Sequence, residues 1–140
     1  MTKEFKDMKG VIAIATTPFN NENLIDFESV DRLSNYYIES KVSGVTILGV
    51  MGEAHKLNIE EQKTLIKRYV NNLINSVPVI VGVSNAGLDN LELLSKFSMD
   101  TGASGVMVSG NNGLKNDDQI KSYFNQVIDR TQDIPICLQD

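Results

Sequence analysis

Tryptophan is absent from this sequence, cysteine and histidine occur once each, and proline occurs three times. A single cysteine, Cys137, rules out an internal disulfide and fits a reducing compartment; its apolar neighbours point to a buried structural thiol. The single histidine, His55, has no second histidine or carboxylate four residues on and no partner cysteine, so a three- or four-ligand metal site is not expected. The glycines at Gly110 and Gly113 are not followed by the Gly-Lys-Ser/Thr of a phosphate loop, and no cofactor is expected. No stretch reaches the about 18 apolar residues of a membrane span, and the charged segment from Met1 to Gly10 lacks the apolar centre of a secretory signal. The expected location is therefore cytoplasmic. Runs of Lys and Arg are also missing: 13 of them stand against 18 acidic residues, for a formal net charge of −5. Nucleic acid and anionic membrane both demand a basic surface, so neither is expected as a partner.

What is present is the makeup of a globular domain, 41% hydrophobic and 22% charged. Short β-branched runs alternate with longer amphipathic stretches, the sign of βαβ units building a parallel sheet. The runs are Val11 to Ala15, Gly44 to Leu48, Pro78 to Gly82, Gly105 to Val108 and Ile134 to Leu138. Each is nearly continuous in apolar residues, which predicts cover on both faces. Helical stripes fall between them: Phe27, Val30, Leu33, Tyr37 and Ile38; Leu65, Ile66, Tyr69, Val70, Leu73 and Ile74; Leu91, Leu94 and Phe97; Ile120, Tyr123, Phe124, Val127 and Ile128. Capping boxes are expected at Asn58 with Glu61, Asp89 with Glu92, and Asn116 with Gln119.

Five strands and four helices in strict alternation predict an α/β fold, the N-terminal portion of a (β/α)8 TIM barrel. Such a barrel closes with eight strands, so the expectation for residues 1–140 is a partial barrel truncated after the fifth strand, with no second domain. An open doubly wound sheet is the competing fold.

In a parallel barrel, ligands bind at the carboxyl ends of the strands. The residues there are Thr16 to Phe19, Gly49 to Glu53, Val83 to Asn85, Ser109 to Asn112, and Gln139 with Asp140. The second group is the most informative. Two glycines, Gly49 and Gly52, bracket Val50 and Met51, a spacing that permits a tight turn whose amides point at an anion such as a carboxylate.

Thr17-Pro-Phe19, Ile25-Asp-Phe27, Gly49-x-x-Gly-Glu53 and Val77-Pro-Val-Ile80 occur in order and in register. Together they resemble the dihydrodipicolinate synthase and N-acetylneuraminate lyase family, from about Gly10 to Asp140. The resemblance implies a class I aldolase-type lyase or dehydratase, carbon-carbon or carbon-oxygen, whose lysine forms a Schiff base with a 2-oxo acid, commonly pyruvate. It implies a homo-oligomer, dimer or tetramer, when full length. The Schiff-base lysine is expected beyond residue 140, so the chain alone is expected to be inactive and none of its lysines takes that role.

Gly49, Val50, Met51, Gly52 and Thr17 are then the candidate substrate-binding residues, with Glu53 and Thr16 as structural or orienting ones. Three departures stand out, one being that the family's aromatic pair after the fourth strand has no match in Ser109-Gly-Asn-Asn112. The middle of the family's turn usually carries hydroxyls, where this chain has Val50 and Met51, and the family's tyrosine after the fifth strand aligns with Gln139, which cannot pass a proton as a phenol can. A divergent lyase is the first expectation; a non-catalytic half-barrel or small-ligand-binding module that has lost the chemistry is the alternative.

Overall fold

The computed structural model describes residues 5–140. Five parallel strands form one sheet: β1 (Ile12–Ile14), β2 (Gly44–Ile47), β3 (Val79–Gly82), β4 (Gly105–Ser109) and β5 (Ile136–Gln139). They lie side by side in chain order, with Ala13 opposite Val45, Thr46 opposite Ile80, Val81 opposite Val106, and Met107 opposite Cys137. This order decides between the two folds left open by the sequence. A doubly wound sheet reverses direction at a switch point, whereas strands laid down in unbroken succession curl toward a barrel.

The four connections carry α1 (Phe27–Glu39), α2 (Ile59–Leu73), α3 (Leu88–Thr101) and α4 (Asp117–Thr131). Each helix packs on the next in sequence, as right-handed crossovers in one direction require. The helix-facing core is built by Val45, Ile47, Val79, Val81, Val106 and Val108 from the strands against Val30, Leu65, Ile66, Val70, Leu91 and Val127. Ile80 and Met107 are buried too, but outside that cluster. Strand alternation puts them on the opposite, concave face, which is the half-formed barrel interior.

Central strands behave as expected of a two-sided cover: every residue of β2 and β3 is buried. The flanking strands do not. Residues of β1 and β5 are half-buried or exposed, because each pairs along one edge only. Cys137 is accordingly half-buried on β5 and not enclosed.

Helix starts follow their caps in two of three cases. Asn58 and Glu61 form the reciprocal box at α2, with the Asn58 side chain accepting the Glu61 amide at 2.9 Å and Glu61 accepting the Asn58 amide at 2.8 Å. Asn116 accepts from the Gln119 amide, but Gln119 answers to the Lys115 amide one residue earlier. The expected box at Asp89 does not form. Helix α3 begins after Gly87 with no side-chain cap, and both Asp89 and Glu92 face Arg130 of α4. The helix starts two residues earlier than the motif implies, with the Asn90 and Leu91 amides on the Gly87 carbonyl, so Asp89 lies within the first turn and cannot serve as its N-cap.

Candidate functional site at the carboxyl end of the sheet

The turn after β2 is organised by two residues in left-handed backbone. Leu48 has φ 55° and Glu53 has φ 54°, and between them Gly49 and Gly52 are buried while Val50 and Met51 are exposed. Leu48 is an unusual occupant of that conformation, since its Cβ crowds the following carbonyl. Its side chain is buried in the helix-facing core. That burial keeps the residue in place despite the strain.

Glycine at the second bracket is a packing necessity: a Cβ on Gly52 would lie 2.9 Å from the Leu48 amide nitrogen. Gly52 and Glu53 donate their amides back to the carbonyls of Gly49 and Val50, each at 3.0 Å. The amides of Val50 and Met51 have no hydrogen-bond partner among the described residues. Two adjacent unpaired N–H groups at an exposed strand end are suited to an anion.

Thr17 and Thr16 differ in what they do. Thr17 is buried, and its hydroxyl donates to the Gly52 carbonyl at 2.6 Å, fastening the turn to the end of β1. Thr16 is exposed; its carbonyl accepts from the Tyr69 hydroxyl of α2 at 3.1 Å. Burial pushes the Tyr69 phenol well above its ordinary pKa, with the nearby Tyr37 adding to the shift, so it remains a neutral donor. Glu53 makes no capping hydrogen bond with its side chain; its carboxylate pairs with Lys56. Lys56 is exposed and so paired, and among the described residues no lysine lines the cavity beside the turn.

That cavity encloses about 110 Å³ between the Gly49–Val50 turn, His55, Ser84, Ser109 and Gln139. Ser84 and Ser109 meet there, their hydroxyl oxygens 3.1 Å apart, with the Ser109 amide donating to the Ser84 hydroxyl at 2.9 Å. Gln139 stands directly opposite Ser109 in the sheet register. The structure thus gathers Gly49, Val50 and Gln139 at one opening. Thr16, Thr17, Met51, Gly52 and Glu53 do not line it, and several of them support the turn from behind.

Ser84 and Ser109 lie within the strand-end groups that the sequence points to but are not singled out there, and Gly82 is not marked as a site residue at all. Serine at a strand end carries no signature, and Gly82 reads as one more small residue in a β-branched run. The contact between Ser84 and Ser109 depends on the β3–β4 register, which only the folded sheet defines.

Strands in sequential order, helices on one face and a turn-lined opening at the carboxyl ends define the N-terminal part of a TIM barrel. The chain belongs to the dihydrodipicolinate synthetase family, whose model matches residues 7–139. The 4-hydroxy-tetrahydrodipicolinate synthase of Methanococcus aeolicus is 29% identical over 132 residues, covering 94% of this chain and 45% of that protein. Among solved structures, dihydrodipicolinate synthase from Rhodopseudomonas palustris superposes with a TM-score of 0.89 at 42% identity, over 92% of this chain and 43% of that one. YagE, a prophage protein of E. coli K12 in the dihydrodipicolinic acid synthase family, was solved in complex with pyruvate; it matches with a TM-score of 0.83 at 27% identity, over 92% of this chain and 44% of its own. The chain therefore spans a little under half the length of these relatives.

Proposed function

We propose that the protein whose front half-barrel this chain forms is a lyase acting on a 2-oxo acid through a lysine Schiff base. The observation that carries the reading is the pair of unpaired amides at Val50 and Met51, held at the strand ends beside a cavity. They offer a carboxylate two donors without a cation, and fixed donors need no reorganisation when the anion arrives. The pyruvate bound to the relative YagE supports the substrate class. The amine that condenses with the 2-oxo group, releasing water, is a lysine at the end of a sixth strand, as the family resemblance implies. The 140-residue chain alone is inactive on this reading, and the complete protein is a cytoplasmic homo-oligomer, a dimer or tetramer.

Borohydride reduction of the full-length protein mixed with pyruvate is the test. A stable adduct on one lysine, found by peptide mass spectrometry, is the expected result. No adduct with pyruvate or related 2-oxo acids would overturn the reading.

A second reading has its own support. Val50 and Met51 bring no hydroxyl to the turn, and Gln139 brings no phenol to the end of β5, so a ligand could be bound without a proton relay. A non-catalytic half-barrel that binds small carboxylates would show amide shifts at Val50 and Met51 on adding pyruvate to the 140-residue chain, with no turnover in the full-length protein.

A further inference from the structure

Past the left-handed Glu53, the chain makes one 3-10 turn, Ala54–Lys56, before α2 begins. The Lys56 amide donates to the Glu53 carbonyl at 2.9 Å and the Leu57 amide to the Ala54 carbonyl at 3.1 Å. Gln62 of α2 clamps the turn: its buried carboxamide donates to the carbonyls of Ala54 at 3.1 Å and Leu57 at 3.0 Å. Successive side chains on such a turn diverge by about 120°. Lys56 goes to Glu53, while Ala54 and His55 line the cavity beside Val50. His55 stands exposed on this fixed backbone, and it is the single histidine of the sequence.

Besides His55, the described residues lining the cavity bring backbone, apolar side chains, the Ser84 and Ser109 hydroxyls, the Met107 thioether and the Gln139 carboxamide. None of these groups titrates near neutral pH, whereas imidazole is the side chain that gives and takes a proton there. Positions 50, 51 and 139 lack the hydroxyls and the phenol that the family resemblance associates with proton transfer. The charged groups near the cavity among the described residues are the Glu53–Lys56 pair on the same turn, already engaged with each other, and Asp140. Asp140 lines the adjoining opening, which shares Val50, Ser109 and Gln139 with this one.

We infer that His55 is the catalytic residue that moves the proton of the substrate's methyl carbon, in place of the missing hydroxyls. This rests on the Schiff-base reading above. With pyruvate held as a protonated imine on the lysine, the neutral imidazole takes a proton from the methyl carbon. The C–H electron pair becomes a C=C bond, the C=N pair settles on nitrogen and cancels its charge, and the imidazolium returns the proton when the step reverses. In deuterated solvent a deuteron comes back instead. A relay restored at positions 50 and 139 would run in parallel with this one.

The experiment uses the full-length protein with pyruvate in deuterated solvent, following methyl exchange by NMR and imine formation by borohydride trapping. His55→Gln is expected to slow exchange about 100-fold, the low end of what a positioned base contributes, with trapping at the parent's level. His55→Ala is expected to show the same split, and added imidazole to restore part of its exchange, a rescue that a structural role would not give. Exchange in His55→Gln equal to the parent's, a loss that imidazole does not repair in His55→Ala, or a loss confined to Asp140→Asn would overturn the inference while leaving the lysine adduct standing. So would a parent protein that is trapped normally and exchanges nothing. Failure of the parent to be trapped at all would overturn the Schiff-base reading and this inference together.

Discussion

A Cβ atom on Gly82 would stand 2.2 Å from the carbonyl oxygen of Leu48. The end of β3 is therefore a notch into which the backbone leaving β2 is set, and the left-handed Leu48 is what turns that carbonyl into it. The two residues are 34 positions apart in the chain, yet their backbones pack so closely that a side chain at position 82 has no room.

Gly82→Ala is accordingly expected to destabilise the fold by about 1–3 kcal/mol, the usual cost of overpacking a filled interior. Urea unfolding would show it as a lower midpoint with an unchanged slope. A midpoint equal to that of the parent chain would mean that the turn yields easily and is not fixed by this contact.

Thr17→Val keeps the shape of a buried side chain and removes its donor to the Gly52 carbonyl. The stranded carbonyl should cost about 1–3 kcal/mol, and Thr17→Ser should recover most of that. Amide shifts centred on Gly52, Val50 and Met51 in 15N spectra would separate a loosened turn from general destabilisation.

Two carboxamide and carboxylate sites that look alike in sequence should respond differently. Asn58→Ala removes one half of a formed capping box and should cost about 1 kcal/mol. Asp89→Ala removes an exposed partner of Arg130 that caps nothing, and is expected to change stability by less than about 0.5 kcal/mol. Equal losses from chemical denaturation would contradict the cap assignment at α3.

Acid should weaken the packing of neighbouring helices. Hydrogen bonds from Arg68, then Asn72, hold the Asp31 carboxyl below its ordinary pKa, and the Lys96 hydrogen bond does the same for Glu92. Such groups bind more protons unfolded than folded, so their contribution is present above the ordinary carboxylate pKa and is lost as pH falls through the lowered one. Tyrosines set the opposite limit. Burial raises the Tyr37, Tyr69 and Tyr123 phenols, so the folded chain resists their ionisation and loses stability as pH rises past the ordinary phenol value. Midpoints measured across pH should fall at both ends; a shallower acid limb in Asp31→Asn than in the parent would identify that pair's share, and an unchanged limb would rule it out.

The hydroxyl deficit at the turn is testable in the full-length protein. Val50→Thr combined with Gln139→Tyr restores the groups that the family resemblance associates with proton transfer. Exchange of pyruvate methyl protons with deuterated solvent, followed by NMR, is expected to speed up about tenfold or more. No acceleration would indicate that another group already carries the proton.

Much of the fold was legible in the sequence because its signals are local. Apolar runs marked all five strands to within two residues at each end, and helical stripes marked all four helices. Strand order was not legible, since a β-branched run looks the same in a barrel and in a doubly wound sheet, and register is a property of pairs. The glycine bracket at Gly49 and Gly52 announced the turn because few other residues permit that spacing. Leu48 gave no warning, as leucine seldom adopts left-handed backbone and its reason for doing so lies in Gly82. Asp89 misled because the helix begins two residues earlier, after Gly87, which leaves Asp89 inside the first turn, and a capping motif does not show where the helix actually starts.

Each wall of the opening comes from a separate βα unit: the turn from the second, Ser84 from the third, Ser109 from the fourth, Gln139 from the fifth. Among the described residues, only backbone hydrogen bonds and one serine pair join the β3, β4 and β5 walls, while the turn after β2 is also seated against Gly82 at the end of β3. A lineage carrying this scaffold can therefore redraw one wall by altering a single strand end and keep the others intact. Exchanging the loop after β4 with that of a relative is thus a way to alter one wall of the opening while the turn after β2 keeps its shape.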